Sequence, residues 1–479
     1  MNKSILIELL SRFSPREIKE FDEYIKSPFF NKNQSVISLF NYLRKHYPLF
    51  DKAKIEKRNV FSSIFPGVEY NDGFMRTLMF NLCSLAENYL SYECYKNNYF
   101  MGKKFLLCEL NNRELDRLFE KNYKAVSKHL KDEPIKDEDY FYLKYNIDFE
   151  KMFYLYRKAP DKNEKIIPHS NVAEVFDNLT YYYLIRSIDH YLYFLNVMEL
   201  YKFRFETEKI EKILEILKSD KFKDIPLLEL YYNLLMLFLN EDEVSYFYNT
   251  LEILKNKEDS INKENIYRGY LNLKNYCKRK IQKEDYRFVK ELFDIYKIEL
   301  NKKVYSLQNE MYFRNYTGII ETALRLKEYK WAKDFIEKYK KELNRESREN
   351  TYTYALALYE FAMGNYEKSL ELLSKVKYHD VYHKLKYRSL LVMLYYELDL
   401  TELLLSHVDS FNHFLLNDKM IKNERKIYYS NFLKVIKSVI SFKENNKRND
   451  IQLFGKKLNE MPLIYNKDWL KDKVNELID

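Results

Sequence analysis

Between Pro226 and Pro462 the chain contains no proline, and its 479 residues hold only 7 glycines and 9 prolines. Average usage, roughly 7% Gly and 5% Pro, would supply several times more. Sheets and α/β folds turn the chain at nearly every strand end, and those turns draw on backbone angles that Gly and Pro favour. A chain this poor in both is restricted to helices joined by short connections, so the expected class is all-α.

The clearest local pattern is Tyr352–Val376, YTYALALYEFAMGNYEKSLELLSKV. Ala355, Leu356, Leu358, Tyr359 and Ala362 mark one amphipathic helix; Tyr366, Leu370, Leu373 and Val376 mark a second. Their spacings of three and four put each set on one helix face. Gly364 stands where the first helix must end, in the position that favours a left-handed cap. The pattern recurs. Leu326–Ala332 match Met363–Ser369 at an offset of 37, Leu398–Leu403 match at an offset of 34, and Lys283–Val289 are a fainter upstream copy. Helix pairs repeating every 34–45 residues or so predict an α-solenoid.

Gly364-Asn365-Tyr366 followed by Ser369, with Ala357 in the preceding helix and Ala332 in the copy before, resembles the turn and second helix of a tetratricopeptide repeat. The resemblance covers Asn301–Leu416; the usual proline at the repeat end is missing. It implies an irregular α-solenoid of antiparallel helix pairs. It also implies groove positions on the first helices, where Arg314, Glu321, Arg325, Tyr354, Arg388 and Tyr395 are the candidate partner contacts, the arginines toward carboxylates or other anions.

Residues 1–99 read as a separate helical cap module, and 100–479 as the repeat region ending in capping helices over 417–479. Ser14-Pro15-Arg16-Glu17 is a capping box with proline at the first helical position. Further helices are expected around Val36–Leu43 and Ile55–Ile64, then a long one with Asn71-Asp72 as N-cap, running to about Asn97. Lys103–Leu130, Asp137–Lys158 and Asn171–Phe205 each read as one helix, with a polar loop at Ala159–Pro168. Helix pairs resume near Glu208, and Lys422–Phe442, Ile451–Glu460 and a last helix around Trp469 follow, its Trp469 and Leu470 folding back as a cap.

Several chemistries lack their residues. No glycine-rich phosphate loop is possible, because no two glycines lie within five residues of each other. No G-x-S-x-G elbow occurs. Cys83, Cys94, Cys108 and Cys277 have neither zinc-ligand spacing nor a disulfide pattern, and read as reduced thiols. His379 and His383 share a helix face, but Asp380 stands where a zincin has Glu, and no third ligand lies at a telling distance. No catalytic residue, cofactor or metal is therefore expected. Leu227–Leu239 is too short to span a bilayer. Met1–Ser14 is interrupted by Glu8 and Arg12, unlike a secretory leader, so a cytoplasmic location is expected.

The formal net charge of +9, from 81 basic and 72 acidic residues, permits an acidic partner without demanding one. Phe61–Leu90 faintly resembles the end of a DNA-reading helix-turn-helix. However, Asp72–Tyr92 offers one basic residue, Arg76, where a recognition helix presents several. The functional expectation is a non-enzymatic scaffold or adaptor binding a protein or peptide on the concave face. The alternative is a nucleic-acid-associated regulator, using the N-terminal module or the mixed aromatic and basic stretch Tyr181–Arg204.

Overall fold

The computed structural model describes residues 1, 4–158, 169–198, 208–217, 225–307, 310–377, 381–421, 423–445 and 448–478. These residues form 23 α-helices and no strand; one isolated parallel bridge joins Met311 and Leu343. The all-α expectation holds. No helix of the described residues is long and apolar enough to cross a membrane. The expected loop at 159–168 and the end of the helix expected to reach Phe205 lie outside the described residues.

Contacts divide the chain into two units, residues 1–133 with 142–178, and 134–141 with 179–479. Helices α8 (Glu138–Lys158) and α9 (His169–Met198) contribute residues to both.

In the first unit α1 (Ile5–Arg12), α2 (Pro15–Lys26), α3 (Gln34–Arg44) and α4 (Lys57–Ile64) all pack on the long α5 (Asp72–Asn97). The local signals act as expected. The Glu17 amide donates to Ser14 Oγ at 3.2 Å, and the Ser14 amide to Glu17 Oε2 at 2.7 Å. Asn71 Oδ1 accepts from the Phe74 amide at 2.9 Å and opens α5. Phe21, Phe40, Leu43, Val60, Met75 and Leu82 are fully buried in the shared core, each contributing about 1.5–3 kcal/mol of apolar burial.

The helix expected over Lys103–Leu130 is two, α6 (Tyr99–Asn112) and α7 (Asp116–Lys131). Glu114 takes φ +55°, and the Leu115 amide donates back to the Leu110 carbonyl at 2.9 Å. That reversal lets α6 and α7 pack together and bury Leu107, Phe119 and Val126. Neither Gly nor Pro marks it, so tertiary burial decided what local propensity left open.

The second unit continues with α10 (Glu208–Leu217), α11 (Pro226–Leu239), α12 (Ser245–Asn256), α13 (Lys263–Gln282), α14 (Arg287–Lys302), α15 (Phe313–Arg325) and α16 (Tyr329–Lys338). Then come α17 (Arg348–Ala362), α18 (Tyr366–Ser374), α19 (Val381–Glu397), α20 (Thr401–Asn417), α21 (Asn423–Asn445), α22 (Arg448–Glu460) and α23 (Lys467–Ile478). From α11 to α21 each helix packs on the next. Two further contacts link alternate helices, α11 with α13 and α15 with α17. Close approach is visible at Gly269, where an added Cβ would stand 2.8 Å from Leu254 Cδ2.

The four connections at the repeat copies share one geometry, which Glu114 and Lys303 also adopt. Glu284, Lys327, Gly364 and Asp399 have φ of 66°, 60°, 78° and 55°. In each case the next amide donates five residues back: Asp285 to Lys280, Glu328 to Ala323, Asn365 to Glu360 and Leu400 to Tyr395, at 2.9–3.0 Å. This is the Schellman closure. The structural equivalent of Gly364 in the last copy is thus Asp399, an offset of 35 (399 − 364), and not Leu398 at 34. At the chain's end α23 packs on α21 and α22, burying Leu470 and Val474, while Trp469 Nε1 donates to Glu397 at 2.7 Å.

Candidate functional site

Charged and tyrosine side chains converge where α13, α15, α19 and α21 of the second unit face one another. The deepest element is an ion pair. Lys274 on α13 meets Glu299 on α14 at 2.7 Å, with side chains 5% and 1% exposed. Burial pushes the Glu299 carboxyl upward, against the pull of Lys274. Above them Glu321 on α15 holds Lys386 on α19 with both carboxylate oxygens, at 2.7 and 2.8 Å. Burial disfavours the Lys386 ammonium, but the opposing contributions, led by Glu321, together outweigh it and keep the group charged. Tyr465 and Tyr429 stack at 4.8 Å beside it, and burial pushes both hydroxyls upward, so they stay protonated.

Three further cations have no such partner. Lys278 lies one helical turn beyond Lys274, and its side chain is exposed to solvent. Burial, then Lys274 and Arg314, push its ammonium down to about 8. Arg314 and Arg425 approach the ring of Tyr382, with guanidinium carbons 4.7 and 5.7 Å from its centroid. Lys386 is 6.0 Å from the same ring. Among the described residues, Lys278, Arg314 and Arg425 make no ion pair. Two neutralised pairs, three cations with no ion pair among the described residues and an aromatic ring approached by two guanidinium groups make a recess that attracts anions.

The sequence candidates separate into two groups. Arg314, Glu321 and Tyr354 belong to this recess, Tyr354 fully buried against Phe313 at 5.1 Å between ring centroids. Arg325 lies beyond it, paired with Asp468 and 4.7 Å from the Tyr286 ring. Arg388 and Tyr395 instead meet α20. Arg388 donates to Ser410 at 3.2 Å and lies over Phe414, while Tyr395 stands edge-on to His407 at 5.8 Å. Burial lowers His407 to about 4, so it is neutral there. The structure therefore does not bring the three arginines together.

Sequence reasoning passed over Lys278, Tyr382, Lys386 and Arg425. Their signal was faint: Tyr382 and Lys386 are four residues apart on one face, as are Lys274 and Lys278. In a chain with 46 tyrosines and 81 basic residues, such spacings occur in many places. His379 and Asp380 lie outside the described residues; the His383 ring packs on Phe313 at 3.9 Å. No group of three metal-ligating side chains is found among the described residues. A separate cavity of about 260 Å³ opens between α14 and α16, lined by Trp331, Phe335, Tyr339, Lys297 and Lys338.

No family model, curated protein or solved structure matches the chain.

Proposed function

We propose that the chain is a non-enzymatic, cytoplasmic helical-repeat scaffold, a tetratricopeptide-like α-solenoid that binds a segment of a protein partner in the α13–α15–α19–α21 recess. One observation carries the reading. The second unit sets Arg314 and Arg425 against the ring of Tyr382, beside two buried ion pairs, and neither arginine has an ion-pair partner among the described residues. Unpaired guanidinium groups beside an aromatic ring are typical anchor chemistry in interfaces. The four equivalent reversals at Glu284, Lys327, Gly364 and Asp399 support the repeat reading, since each starts the next helix from the same geometry.

The test is affinity capture of the tagged full chain from its native lysate, with and without nuclease, read by mass spectrometry. A short set of proteins retained through nuclease treatment is expected. Recovery of nucleic acid, with all partners lost on nuclease treatment, refutes the scaffold in favour of the nucleic-acid reading.

A further inference from the structure

We infer that the partner segment is acidic, a run of Asp or Glu side chains, held at an anion site made by Arg314 and Arg425 around the Tyr382 ring, with Lys278 on the neighbouring α13 within electrostatic reach of Arg314. The inference rests on the scaffold reading above and names the chemistry of its partner. Charge complementarity selects the occupant. Among the described residues, the carboxylates Glu299 and Glu321 are already committed, to Lys274 and Lys386. The two arginines come from different helices, α15 and α21, and both are positioned by contact with one ring from α19. A guanidinium placed in this way matches a carboxylate with paired N–H donors and loses little side-chain freedom on binding.

Lys278 adds a pH signature. The groups that face it are Lys274 and Cys277 on its own helix, Glu299 on α14 and Arg314 on α15. Desolvation by the surrounding protein, and then Lys274 and Arg314 against Glu299, hold its ammonium down to about 8 in the empty site. An arriving carboxylate favours the charged form, so binding takes up a proton at Lys278. Affinity is then full below that value and falls as pH rises through it, by up to about tenfold between pH 7 and pH 9. The arginines stay charged throughout this range, and so do the carboxylates of the ligand.

The experiment is fluorescence anisotropy of the full chain with a labelled oligoglutamate peptide at low salt, with oligoglutamine and a short oligothymidylate as comparisons. Saturable oligoglutamate binding is expected, weakened at least tenfold in Arg314→Gln/Arg425→Gln, which removes both charged donors. Lys278→Gln should abolish the pH dependence. The charge-matched control Lys19→Gln/Lys124→Gln, at exposed positions of the first unit, should leave binding unchanged. Absence of saturable peptide binding, equal loss in the control, or preference for oligothymidylate overturns the proposal. Partners captured from lysate and retained by Arg314→Gln/Arg425→Gln would remove this site while leaving the scaffold reading standing.

Discussion

Replacing Lys274 with methionine removes one half of the most deeply buried ion pair described here and leaves Glu299, 1% exposed, without its cation. Breaking such a pair from one side costs about 3–5 kcal/mol, because the remaining charge keeps its desolvation penalty. Glu299 can escape by taking a proton. Its carboxyl is already pushed upward by burial, and loss of Lys274 pushes it further. A carboxyl whose folded value is raised above its unfolded one destabilises the fold at high pH. That deficit shrinks as pH falls through the folded value toward the unfolded one, near 4.3, by at most about 1.4 kcal/mol per pH unit. Lys274→Met should therefore be impaired at pH 7.5 and recover part of that deficit relative to wild type as pH falls to 5.5. Lys274→Met/Glu299→Leu should regain most of the loss at all pH values, since an apolar pair carries no desolvation penalty. Urea unfolding followed by tryptophan fluorescence is the assay. Both tryptophans, Trp331 and Trp469, belong to the second unit, and Trp331 packs edge-on to Phe293 of the helix that carries Glu299. Lys278, one turn away, is the cation able to swing in as a replacement, so the measurement is repeated with Lys278→Met. A deficit under about 1 kcal/mol that ignores pH in both backgrounds would refute the assigned burial cost.

Other outcomes follow from single contacts. Lys327 holds φ +60° with a side chain that makes no ion pair among the described residues, so Lys327→Gly should stabilise the second unit by about 0.5–1 kcal/mol, and Gly364→Ala should cost about 1 kcal/mol, both read by the same urea assay. Gly269→Ala in an exposed helix would gain about 1 kcal/mol. Here the new methyl meets fully buried Leu254, and a net loss near 1 kcal/mol is expected from the same curves. Native thiol titration should label exposed Cys94 first, whereas Cys277, fully buried and with its thiol pushed well up by that burial, should react only in denaturant. Labelling of Cys277 at the Cys94 rate would show that the α13 core opens in the native state.

What the sequence made legible was local chemistry. The caps at Ser14 and Asn71 were readable because one side chain satisfies one neighbouring amide, a relation written within four residues. The helix pair at Tyr352–Val376 was readable because glycine marks its reversal. The reversals at Glu114 and Asp399 use the same backbone geometry with an acidic residue, so one was missed and the other was placed a residue early. The recess was the least legible part. Arg314 and Glu321 stood at the right positions of one helix, but Lys278, Tyr382 and Arg425 join them from three other helices. No spacing along the chain encodes that meeting. Arg388 shows the opposite error: the right residue type in the right helix, turned toward α20 by packing on Phe414.

The scarcity of glycine at the reversals has a structural reason. A non-glycine residue in the left-handed region costs roughly 1–2 kcal/mol, so its side chain must contribute something glycine cannot. Glu284 is paired with both Lys467 and Lys471 of α23. Lys467 is only 8% exposed and also donates to the Asn459 and Met461 carbonyls at 2.9 Å. Asp399 pairs with Lys443 of α21. At these two positions the turn residue ties one helix pair to a helix far along the chain, a role that requires a charge. The third, Lys327, makes no such tie, which is why it is the position where glycine should improve stability. The same substitutions that anchor the C-terminal helices thus erase the glycine by which a repeat is recognised, leaving Gly364 as the one reversal among the four that still displays it.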